Sequence, residues 1–403
     1  MKETILHLDL DTFFVSCERL IDSRLQKRPL LVGGTGDRGV VSACSYETRR
    51  FGIRSGMPMK LARQLCPEAV VIKGNAGTYT KFSKQVTDII KERVPVFEKA
   101  SVDEFYADLS GMDQFFGCYK YATELRHTII KETGLPISFG MASNKVTSKV
   151  ATGEAKPNNQ MKVDYGFEKQ FLAPLSIRKI PMVGKKTYQT LRNLGVVKVE
   201  TIQQMPLEMM VSALGANGRT IWRRAQGIDR PPLVPFHARK SLTTERTFHD
   251  TIDVVKLKNM LTAMAENLAF QLRRGEKLTS CVGIKIRYAD FSTYSKQAKI
   301  PYTSADHIII PKVLELFEKL YERRMLVRLV GVSVSDLVSG NYQINLFEDT
   351  EEMLNLYNAM DHIRNRFGEN KVMRAASMGA RTIGRFRNPF DGEPPMVLAH
   401  RTQ

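Results

Sequence analysis

The pattern of apolar and polar positions in the first part of the chain predicts alternating strands and helices. Residues 5–10 form a short apolar run that ends in Asp-Leu-Asp, which predicts a buried strand emerging at a charged edge. Residues 78–94 carry apolar side chains at helical spacing and predict one long amphipathic helix. The next predicted elements are a strand over 101–109, a helix over 119–130, a strand over 135–142 and a helix over 144–153. This order predicts an α+β unit over residues 1–165 in which residues 18–75 are an inserted subdomain.

The remaining elements follow from the same kind of pattern. The insertion predicts strands over 29–32 and 39–42 and helices over 44–51 and 57–65, and residues 166–235 predict short helices joined by tight turns. Three prolines then interrupt the pattern, and from residue 241 it predicts a strand, a helix, two strands, a helix and a strand. The last helix of this βαββαβ unit is predicted over 311–321, and its two middle strands over 281–288 and 293–300. These boundaries divide the chain into six parts. Residues 1–17 and 76–165 form the first α+β unit, residues 18–75 are inserted in it, and residues 166–232 form the segment of short helices. A linker over 233–240, a second α+β unit over 241–340 and a tail over 341–403 follow.

An excess of basic residues extends over most of this length. The chain has 60 Lys and Arg against 42 Asp and Glu, a net charge of +18, yet residues 341–403 carry eight of each. The excess is thus spread over the first 340 residues rather than confined to a basic tail. Positive charge distributed in this way is expected of a protein that binds a long polyanion such as nucleic acid.

Cysteine usage and hydropathy exclude several classes of protein. The five cysteines are odd in number and form no Cys-x-x-Cys pair, which argues against a disulfide scaffold or a zinc ribbon. The apolar stretch near the amino terminus reaches Asp9 before a signal sequence could form, and there is no run of 18 apolar residues. We expect a cytoplasmic, monomeric protein that does not contact a membrane.

Acidic residues fall at the edges of the predicted strands. Asp9 and Asp11 end the first strand, and Asp103 and Glu104 are adjacent in the strand predicted over 101–109. Carboxylates brought together in one small sheet raise one another's pKa unless a cation lies between them. Oxygen ligands without nearby His or Cys indicate Mg²⁺ or Mn²⁺, and a pair of such ions supports in-line phosphoryl transfer. Either acidic pair alone is typical of an ordinary surface, but the two together predict a metal-dependent site.

Two further segments carry residues that could bind a triphosphate. Tyr46 and Arg49 lie in SYETRRFG, and Lys156 lies in AKPNN. Arginine offers phosphate two parallel hydrogen bonds and lysine a compact charge. Taken singly, these residues are equally compatible with a solvated surface.

Six segments, taken in order, resemble the motifs of one known protein family. They are LDLDTFFVSCE, SYETRRFGIRSGMP, SVDEFYADLS, SNKVTSKVATGEAKPNN, the turn at 180–195 and VRLVGVSVSDL. Over residues 1–340 their order and spacing are similar to those of the Y-family (DinB/UmuC-type) translesion DNA polymerases. The resemblance implies a right-hand fold with a palm (1–17 and 76–165), fingers (18–75), a helical thumb (166–232) and a little finger (241–340).

The resemblance also implies roles for individual residues. Asp9, Asp103 and Glu104 match the catalytic carboxylates that bind two Mg²⁺ ions, with the Leu10 carbonyl as a further ligand, whereas Asp11 is not implied as a ligand. Phe14 matches the ring that excludes a 2′-hydroxyl, although the residue type alone also fits a core position. The implied nucleotide-binding residues are Phe13, Phe14, Ser42, Tyr46, Arg49 and Lys156, and the implied DNA-binding residues are Gly184, Lys185, Lys186 and Arg328.

The sequence departs from the family pattern at three places. Ala43 stands where many relatives have a hydroxyl residue, and Met182 replaces the first glycine of the usual Pro-Gly-x-Gly turn of the thumb. Leu329 and Ser333 stand where some relatives have basic residues. Other basic residues of the little finger could then contact the template strand: Lys285, Arg287, Lys296 and Lys299.

The tail contains a short motif for a protein partner. Residues 343–347 read QINLF and resemble the bacterial sliding-clamp peptide, in which Gln343 anchors polar groups while Leu346 and Phe347 fill an apolar pocket. Residues 348–403 extend beyond this motif and resemble the carboxy-terminal extension of the UmuC-like branch.

Together these features predict an error-prone, template-directed translesion DNA polymerase. Its expected cofactor is Mg²⁺, two ions per site, and its expected partners are primer-template DNA, a deoxynucleoside triphosphate and the sliding clamp. One alternative is a restricted nucleotidyltransferase that inserts one preferred nucleotide. Another is a catalytically inert accessory protein that binds primer-template DNA or the clamp, but such a protein has no reason to gather three carboxylates beside phosphate.

Overall fold

The chain folds as two compact units that divide after residue 237, within the predicted linker. The structure, a computed structural model, describes residues 3–36, 38–112, 117–235, 239–322, 325–340, 350–368 and 371–380. In these ranges no helix has the length and apolar character needed to cross a membrane.

A five-stranded sheet forms the centre of the first unit. Its order is β5-β6-β1-β7-β8, formed by β1 (Ile5–Leu10), β5 (Val96–Lys99), β6 (Glu104–Asp108), β7 (Ile137–Ala142) and β8 (Gln160–Lys162). The main helices of this part are α1 (Phe13–Ile21), α4 (Ala76–Arg93), α5 (Cys118–Thr133) and α6 (Lys145–Ala155). Leu6, Leu8 and Leu10 of β1 belong to the apolar core that also includes residues of α4 and α5. His7 and Asp9 alternate with them, and each contacts α6 or the loop that follows it.

The inserted residues form a smaller sheet with a core of its own. The order is β3-β2-β4, formed by β2 (Leu30–Gly33), β3 (Val41–Cys44) and β4 (Val70–Ile72), with helices α2 (Tyr46–Arg49) and α3 (Met59–Leu65). The prediction of a helix over 44–51 was too long, because the Ser45 hydroxyl accepts the Thr48 N–H and starts the helix at Tyr46. Pro58 is the N-cap residue of α3, in agreement with the expectation that this proline opens the helix. The three-residue strand β4 was not predicted, because so short a run carries little periodicity.

Short helices form the rest of the first unit, as the sequence predicts. They are α7 (Glu168–Leu172), α8 (Lys185–Asn193), α9 (Val199–Gln204), α10 (Leu207–Leu214) and α11 (Ala216–Ala225), around a separate apolar core. In the turn before α8, Met182 has φ +75°, a left-handed conformation that a glycine adopts more easily. This turn therefore keeps the backbone conformation that suits the glycine of the family pattern, although Met182 has replaced it.

The second unit is an antiparallel sheet with the predicted βαββαβ order. Its elements are β9 (Ser241–Thr251), α12 (Val254–Arg274), β10 (Lys277–Tyr288), β11 (Thr293–Thr303), α13 (Asp306–Leu320) and β12 (Val327–Ser339), and the sheet order is β11-β10-β12-β9. Helix α13 begins before the predicted 311–321, because the Ala305 carbonyl accepts the N–H groups of Ile308 and Ile309 and so forms a turn upstream of Pro311. Valines and isoleucines of the sheet pack against α12 and α13 in one core.

Part of the carboxy-terminal segment belongs to this second unit. Helix α14 (Thr350–Phe367) buries Tyr357 completely, and the Tyr357 hydroxyl accepts the His307 N–H at 3.1 Å. The guanidinium of Arg273 lies 4.8 Å from the centre of the Tyr357 ring and also bonds to Asp361 at 2.6 Å. Helix α14 is therefore anchored to α12 and α13 by one buried aromatic ring and a group of ion pairs.

Tyr357→Ala is expected to destabilise the second unit by about 3 kcal/mol, because truncation of a buried aromatic side chain leaves a cavity. Differential scanning calorimetry of the full chain measures this change. The neighbouring exposed residue offers a matched control, since Leu356→Ala removes a side chain that is 49% exposed. Equal melting temperatures for the two variants would contradict the packing of α14 described here.

Candidate active site

The candidate catalytic carboxylates meet at the ends of two neighbouring inner strands of the central sheet. Asp9, near the end of β1, is the direct antiparallel partner of Glu104, the first residue of β6. Directly opposed residues point to the same face with Cβ atoms about 5 Å apart. The Leu10 N–H donates to the Asp103 carbonyl at 3.0 Å, which holds the third acid beside them.

Asp103 does not lie in a strand, so the strand predicted over 101–109 was too long. The Ser101 hydroxyl accepts the N–H groups of Asp103 at 3.2 Å and Glu104 at 3.1 Å, and it donates to the Asp103 carboxylate. These local bonds take the place of strand pairing and form a turn between β5 and β6. Burial and the nearby Glu104 charge raise the pKa of Asp103, although the bond from Ser101 lowers it.

Two lysines lie against these carboxylates. Lys156 Nζ is 2.5 Å from Asp9 Oδ1 and 3.4 Å from the Leu10 carbonyl oxygen, and Lys149 Nζ is 2.6 Å from Glu104 Oε2. Burial raises the pKa of Asp9 to about 7; Lys156 acts to lower this pKa, and the charges of Glu104 and Asp103 raise it. Within the described ranges, no group of three or more His, Cys, Asp or Glu side chains is arranged to hold a metal ion. The carboxylate oxygens of Asp9 and Glu104 are paired with ammonium groups instead.

Lys149 is a candidate site residue that the sequence reasoning missed. It lies on α6, four residues after Lys145, whose Nζ bonds to Glu98 of β5 at 2.7 Å. The i,i+4 spacing of the two lysines was the available signal, since it places both on one helix face. The sequence does not show that this helix face lies against Glu98 and Glu104 of the sheet; the two ion pairs in the structure do.

Asp11 has a structural role. It is 1% exposed, and its carboxylate accepts the Ser138 hydroxyl at 2.9 and 3.1 Å and the Asn158 N–H at 2.5 Å. The Tyr46 hydroxyl also lies 3.5 Å from Asp11 Oδ1. Asp11 therefore ties the end of β1 to β7, to α2 and to the loop that carries Lys156.

Residues of the implied nucleotide-binding set border this carboxylate group. The Arg49 guanidinium lies 4.9 Å from the centre of the Tyr46 ring, and its buried Nε has no hydrogen-bond partner among the described residues. Burial raises the pKa of Tyr46, so its hydroxyl stays protonated and can donate a hydrogen bond. Ser42 is exposed on β3, whereas the Phe13 ring is buried in the main core.

The Phe14 ring is half-buried and stacked on another aromatic ring. Its partner is Tyr79 of α4, with ring centres 4.3 Å apart and planes 13° apart. The Tyr79 hydroxyl donates to Glu18 Oε1 at 2.5 Å, which fixes the ring on which Phe14 rests. Tyr79 was not predicted as a site residue, because it is one of several residues on the apolar face of a long helix.

The implied DNA-binding residues are exposed or half-buried in their own units. Gly184 is the N-cap of α8 and, as a glycine, has no side chain to cap the helix, and Lys185 and Lys186 are exposed in its first turn. In the second unit Arg328 lies in β12 against the ring of Phe291. Two of the alternative basic residues there already have partners: Lys285 bonds to Glu245 at 2.6 Å and Arg287 to Thr293 at 2.8 Å. The clamp-motif residues Gln343, Leu346 and Phe347 lie outside the described residues.

Comparison with known proteins identifies the family. The profile of the impB/mucB/samB family matches residues 8–153, and that of its C-terminal domain matches residues 239–346. A DNA polymerase IV of Dehalococcoides mccartyi is 36% identical over 373 residues, which are 91% of this chain and 96% of the relative. Among solved structures, a Y-family DNA polymerase chimera of Dbh and Dpo4 has a TM-score of 0.73 at 23% identity, and an insertion ternary complex of Dbh DNA polymerase has 0.61 at 22%. Each structure is matched over 84% of this chain and 100% of its own length.

The chain therefore belongs to the Y family of DNA polymerases. Within that family its relatives place it in the DNA polymerase IV (DinB) branch, so it is a translesion DNA polymerase. The predicted fold class and function are confirmed. The UmuC-like character of the tail stays a prediction, because the comparisons do not single out that branch.

Proposed function

We propose that Asp9, Asp103 and Glu104, with the Leu10 carbonyl, bind two Mg²⁺ ions and form the catalytic centre for nucleotide addition. Y-family polymerases generally use divalent metal ions. The observation that carries the proposal is the β1–β6 register. It sets Asp9 opposite Glu104, the residue that follows Asp103 in the chain. The assignment of the individual residues rests on the motif resemblance, and the register supports it for the pair Asp9 and Glu104.

The chemistry of these groups fits hard divalent cations. All four candidate ligands offer oxygen atoms, which Mg²⁺ prefers. Lysine ammonium groups stand within hydrogen-bond distance of Asp9, Glu104 and the Leu10 carbonyl, so positive charge already lies at the oxygens that the ions would contact. The pKa of Asp9, about 7, supports the same interpretation. Burial and the negative charges of Glu104 and Asp103 disfavour the ionised Asp9 carboxylate, and a bound cation would favour it, as Lys156 already does.

The proposed roles of the surrounding residues follow from their positions. When bound, the ions lower the pKa of the primer 3′-hydroxyl and stabilise the negative charge on the triphosphate. Arg49, whose buried Nε has no hydrogen-bond partner in the described part of the chain, and Lys156, beside Asp9, hold the triphosphate. The Phe14 ring excludes nucleotides that carry a 2′-hydroxyl, and the exposed Ser42 borders the nascent base pair.

Primer-template DNA is bound by surfaces in both units. The first turn of α8 presents backbone N–H groups with no side-chain cap, next to Lys185 and Lys186. A helix N-terminus of this kind attracts a DNA phosphate. Arg328 of β12 provides a second phosphate contact from the other unit.

Removal of divalent ions is expected to stop nucleotide incorporation and leave DNA binding in place, because the ions act on the reacting groups while basic surfaces hold the duplex. Primer extension and fluorescence anisotropy with labelled primer-template, each measured in EDTA and again after Mg²⁺ is restored, test this. The proposal predicts loss and recovery of extension with a Kd for DNA that changes less than about threefold. Undiminished extension in EDTA would contradict it.

We further propose that residues 343–347 bind a sliding clamp. Along the sequence the motif lies between the end of β12 at Ser339 and the start of α14 at Thr350. A glutamine followed by an apolar pair fits short-peptide recognition in a pocket.

Replacing Leu346 and Phe347 by alanine is expected to weaken clamp binding by at least a hundredfold, because each buried side chain contributes roughly 1.5–3 kcal/mol. Clamp-free primer extension should be unchanged, since the catalytic carboxylates precede the motif. Surface plasmon resonance with immobilised clamp measures the affinity, and melting temperature and clamp-free rate are measured on the same preparation. Unchanged clamp affinity would refute the assignment, and a joint loss of stability and clamp-free rate would show that the two side chains pack within the protein.

A further inference from the structure

The turn between β10 and β11 places a phenylalanine where a glycine is expected. The Phe291 N–H donates to the Tyr288 carbonyl at 3.0 Å, and the Tyr288 N–H donates to the Ser292 carbonyl at 3.0 Å. These bonds define a three-residue hairpin loop whose third residue adopts a left-handed conformation, and Phe291 has φ +70°. Glycine commonly occupies this position, because a Cβ is unfavourable there.

Burial does not account for this choice of residue. The Phe291 side chain is 65% exposed, so little apolar surface is removed from water to offset the backbone conformation. Bulky residues held in a left-handed conformation are uncommon and point to a function for the side chain. The ring contacts Arg328, whose guanidinium carbon lies 4.0 Å from the ring centre.

The contact fixes the direction of the arginine side chain. Arg328 lies at a register shift of β12, between Val327 and Leu329, where regular strand geometry does not set its orientation. The Ala289 N–H donates to the Leu326 carbonyl at 2.8 Å, which ties the turn to the start of β12. A guanidinium stacked on a ring keeps its in-plane N–H groups available for a phosphate.

We propose that Phe291 is a positioning residue for DNA binding, and that its ring holds Arg328 with the guanidinium N–H groups ready to bind a backbone phosphate. This inference rests on the DNA contact proposed above for Arg328. The packing of the second unit does not require a phenylalanine in this left-handed turn, and the proposal gives that residue a role.

The test compares DNA affinity with thermal stability in the full chain. Phe291→Gly is expected to weaken binding of a primer-template by about threefold to fivefold, the range of an exposed cation–π contact. Its melting temperature is expected to stay the same or rise, because glycine suits the left-handed position. Phe291→Trp keeps an aromatic face and should retain parental affinity. Tyr294→Ala is the matched control, since this ring of the same hairpin is 49% exposed and packs on Tyr288.

The salt dependence separates positioning from direct contact with DNA. If Phe291 acts through Arg328, then Phe291→Gly and Arg328→Ala reduce the slope of log affinity against log salt alike, each by about one phosphate contact. The double variant should then bind no more weakly than Arg328→Ala alone. A further loss in the double variant with no change of slope would overturn the proposal, because the ring would itself stack on a base.

The remaining outcomes distinguish this inference from the function on which it rests. If Arg328→Ala binds DNA as the parent does, the proposed phosphate contact of Arg328 is wrong, and the role of Phe291 falls with it. If Arg328→Ala weakens binding and Phe291→Gly does not, the arginine contact stands and only the positioning role is refuted. A lower melting temperature for Phe291→Gly would also refute it, because the ring would then be structural.

Discussion

Glu104→Gln is expected to reduce nucleotide incorporation by at least a thousandfold while the affinity for primer-template DNA stays close to that of the parent. Glu104 faces Asp9 across the β1–β6 pair, and the substitution removes one negative charge from the proposed metal site. A thousandfold loss corresponds to about 4 kcal/mol of transition-state stabilisation, a size expected when a metal ligand is lost. Single-turnover primer extension and DNA binding by fluorescence anisotropy measure the two effects separately.

Glu98→Gln is the matched control for this prediction. Glu98 lies in β5 of the same sheet and bonds to Lys145 of α6 at 2.7 Å, as Glu104 bonds to Lys149 at 2.6 Å. It is not one of the proposed ligands, so its variant should keep incorporation within about threefold of the parental rate at 25 °C, even if its stability falls. Extension by Glu104→Gln at more than about a tenth of the parental rate would contradict the assignment of this carboxylate.

Phe14→Ala is expected to lower discrimination against ribonucleotides by about a hundredfold or more, with little change in the kcat/KM for deoxynucleotides. A ring that excludes one hydroxyl acts by steric repulsion, so its loss is selective for the larger substrate. Tyr79 supports the ring from behind at 4.3 Å, which keeps it from moving aside. Steady-state insertion of matched ribonucleotides and deoxynucleotides opposite one template base gives the ratio.

Phe13→Ala serves as the comparison for Phe14→Ala. The Phe13 ring is 3% exposed in the main core, so its truncation should lower the melting temperature and leave the discrimination ratio unchanged. Equal losses of ribonucleotide and deoxynucleotide efficiency in Phe14→Ala would show that its ring is a core residue and not a gate.

The sequence predicts the architecture well where a long element has a regular period. The second unit has strands of 11 to 13 residues and helices of 15 and 21 residues, and the two helices and strands β10 and β12 each bury many apolar residues. Strands β4, β5 and β8 have only three or four residues and were not predicted, because such short runs carry little periodicity.

Several features of the candidate site depend on contacts between residues far apart in the sequence, and these could not be predicted. The acidic motifs themselves can be read from the sequence, but the ion pair of Glu104 with Lys149 joins residues 45 positions apart, and the burial of Asp11 against Ser138 depends on the strand register. The position of Asp103 outside the strand follows from one hydroxyl, that of Ser101, which local alternation cannot reveal. The strands predicted over 281–288 and 293–300 place the turn correctly, but the left-handed conformation of Phe291 was not predicted, since glycine is the usual sequence signal for it.

The anchoring of the tail is another long-range feature. Six apolar residues of the tail fall at helical spacing, but the sequence offers no sign of what they contact; they are Met353, Leu356, Tyr357, Met360, Ile363 and Phe367. In the structure Tyr357 meets His307 of α13 and Arg273 of α12, which are far away along the chain. Two of the charged partners there, Asp306 and Arg364, are almost completely buried, which composition alone would not suggest.

Primer extension on two templates that differ only by one abasic site tests the central claim most directly. The purified full chain is supplied with Mg²⁺ and all four deoxynucleotides, beside Glu104→Gln as the inactive reference. A Mg²⁺-dependent translesion polymerase centred on Asp9, Asp103 and Glu104 should copy the undamaged template opposite every base and extend primers past the abasic site, and Glu104→Gln should do neither. Incorporation of a single preferred nucleotide, termination at the abasic site, or extension that survives in Glu104→Gln would contradict the account.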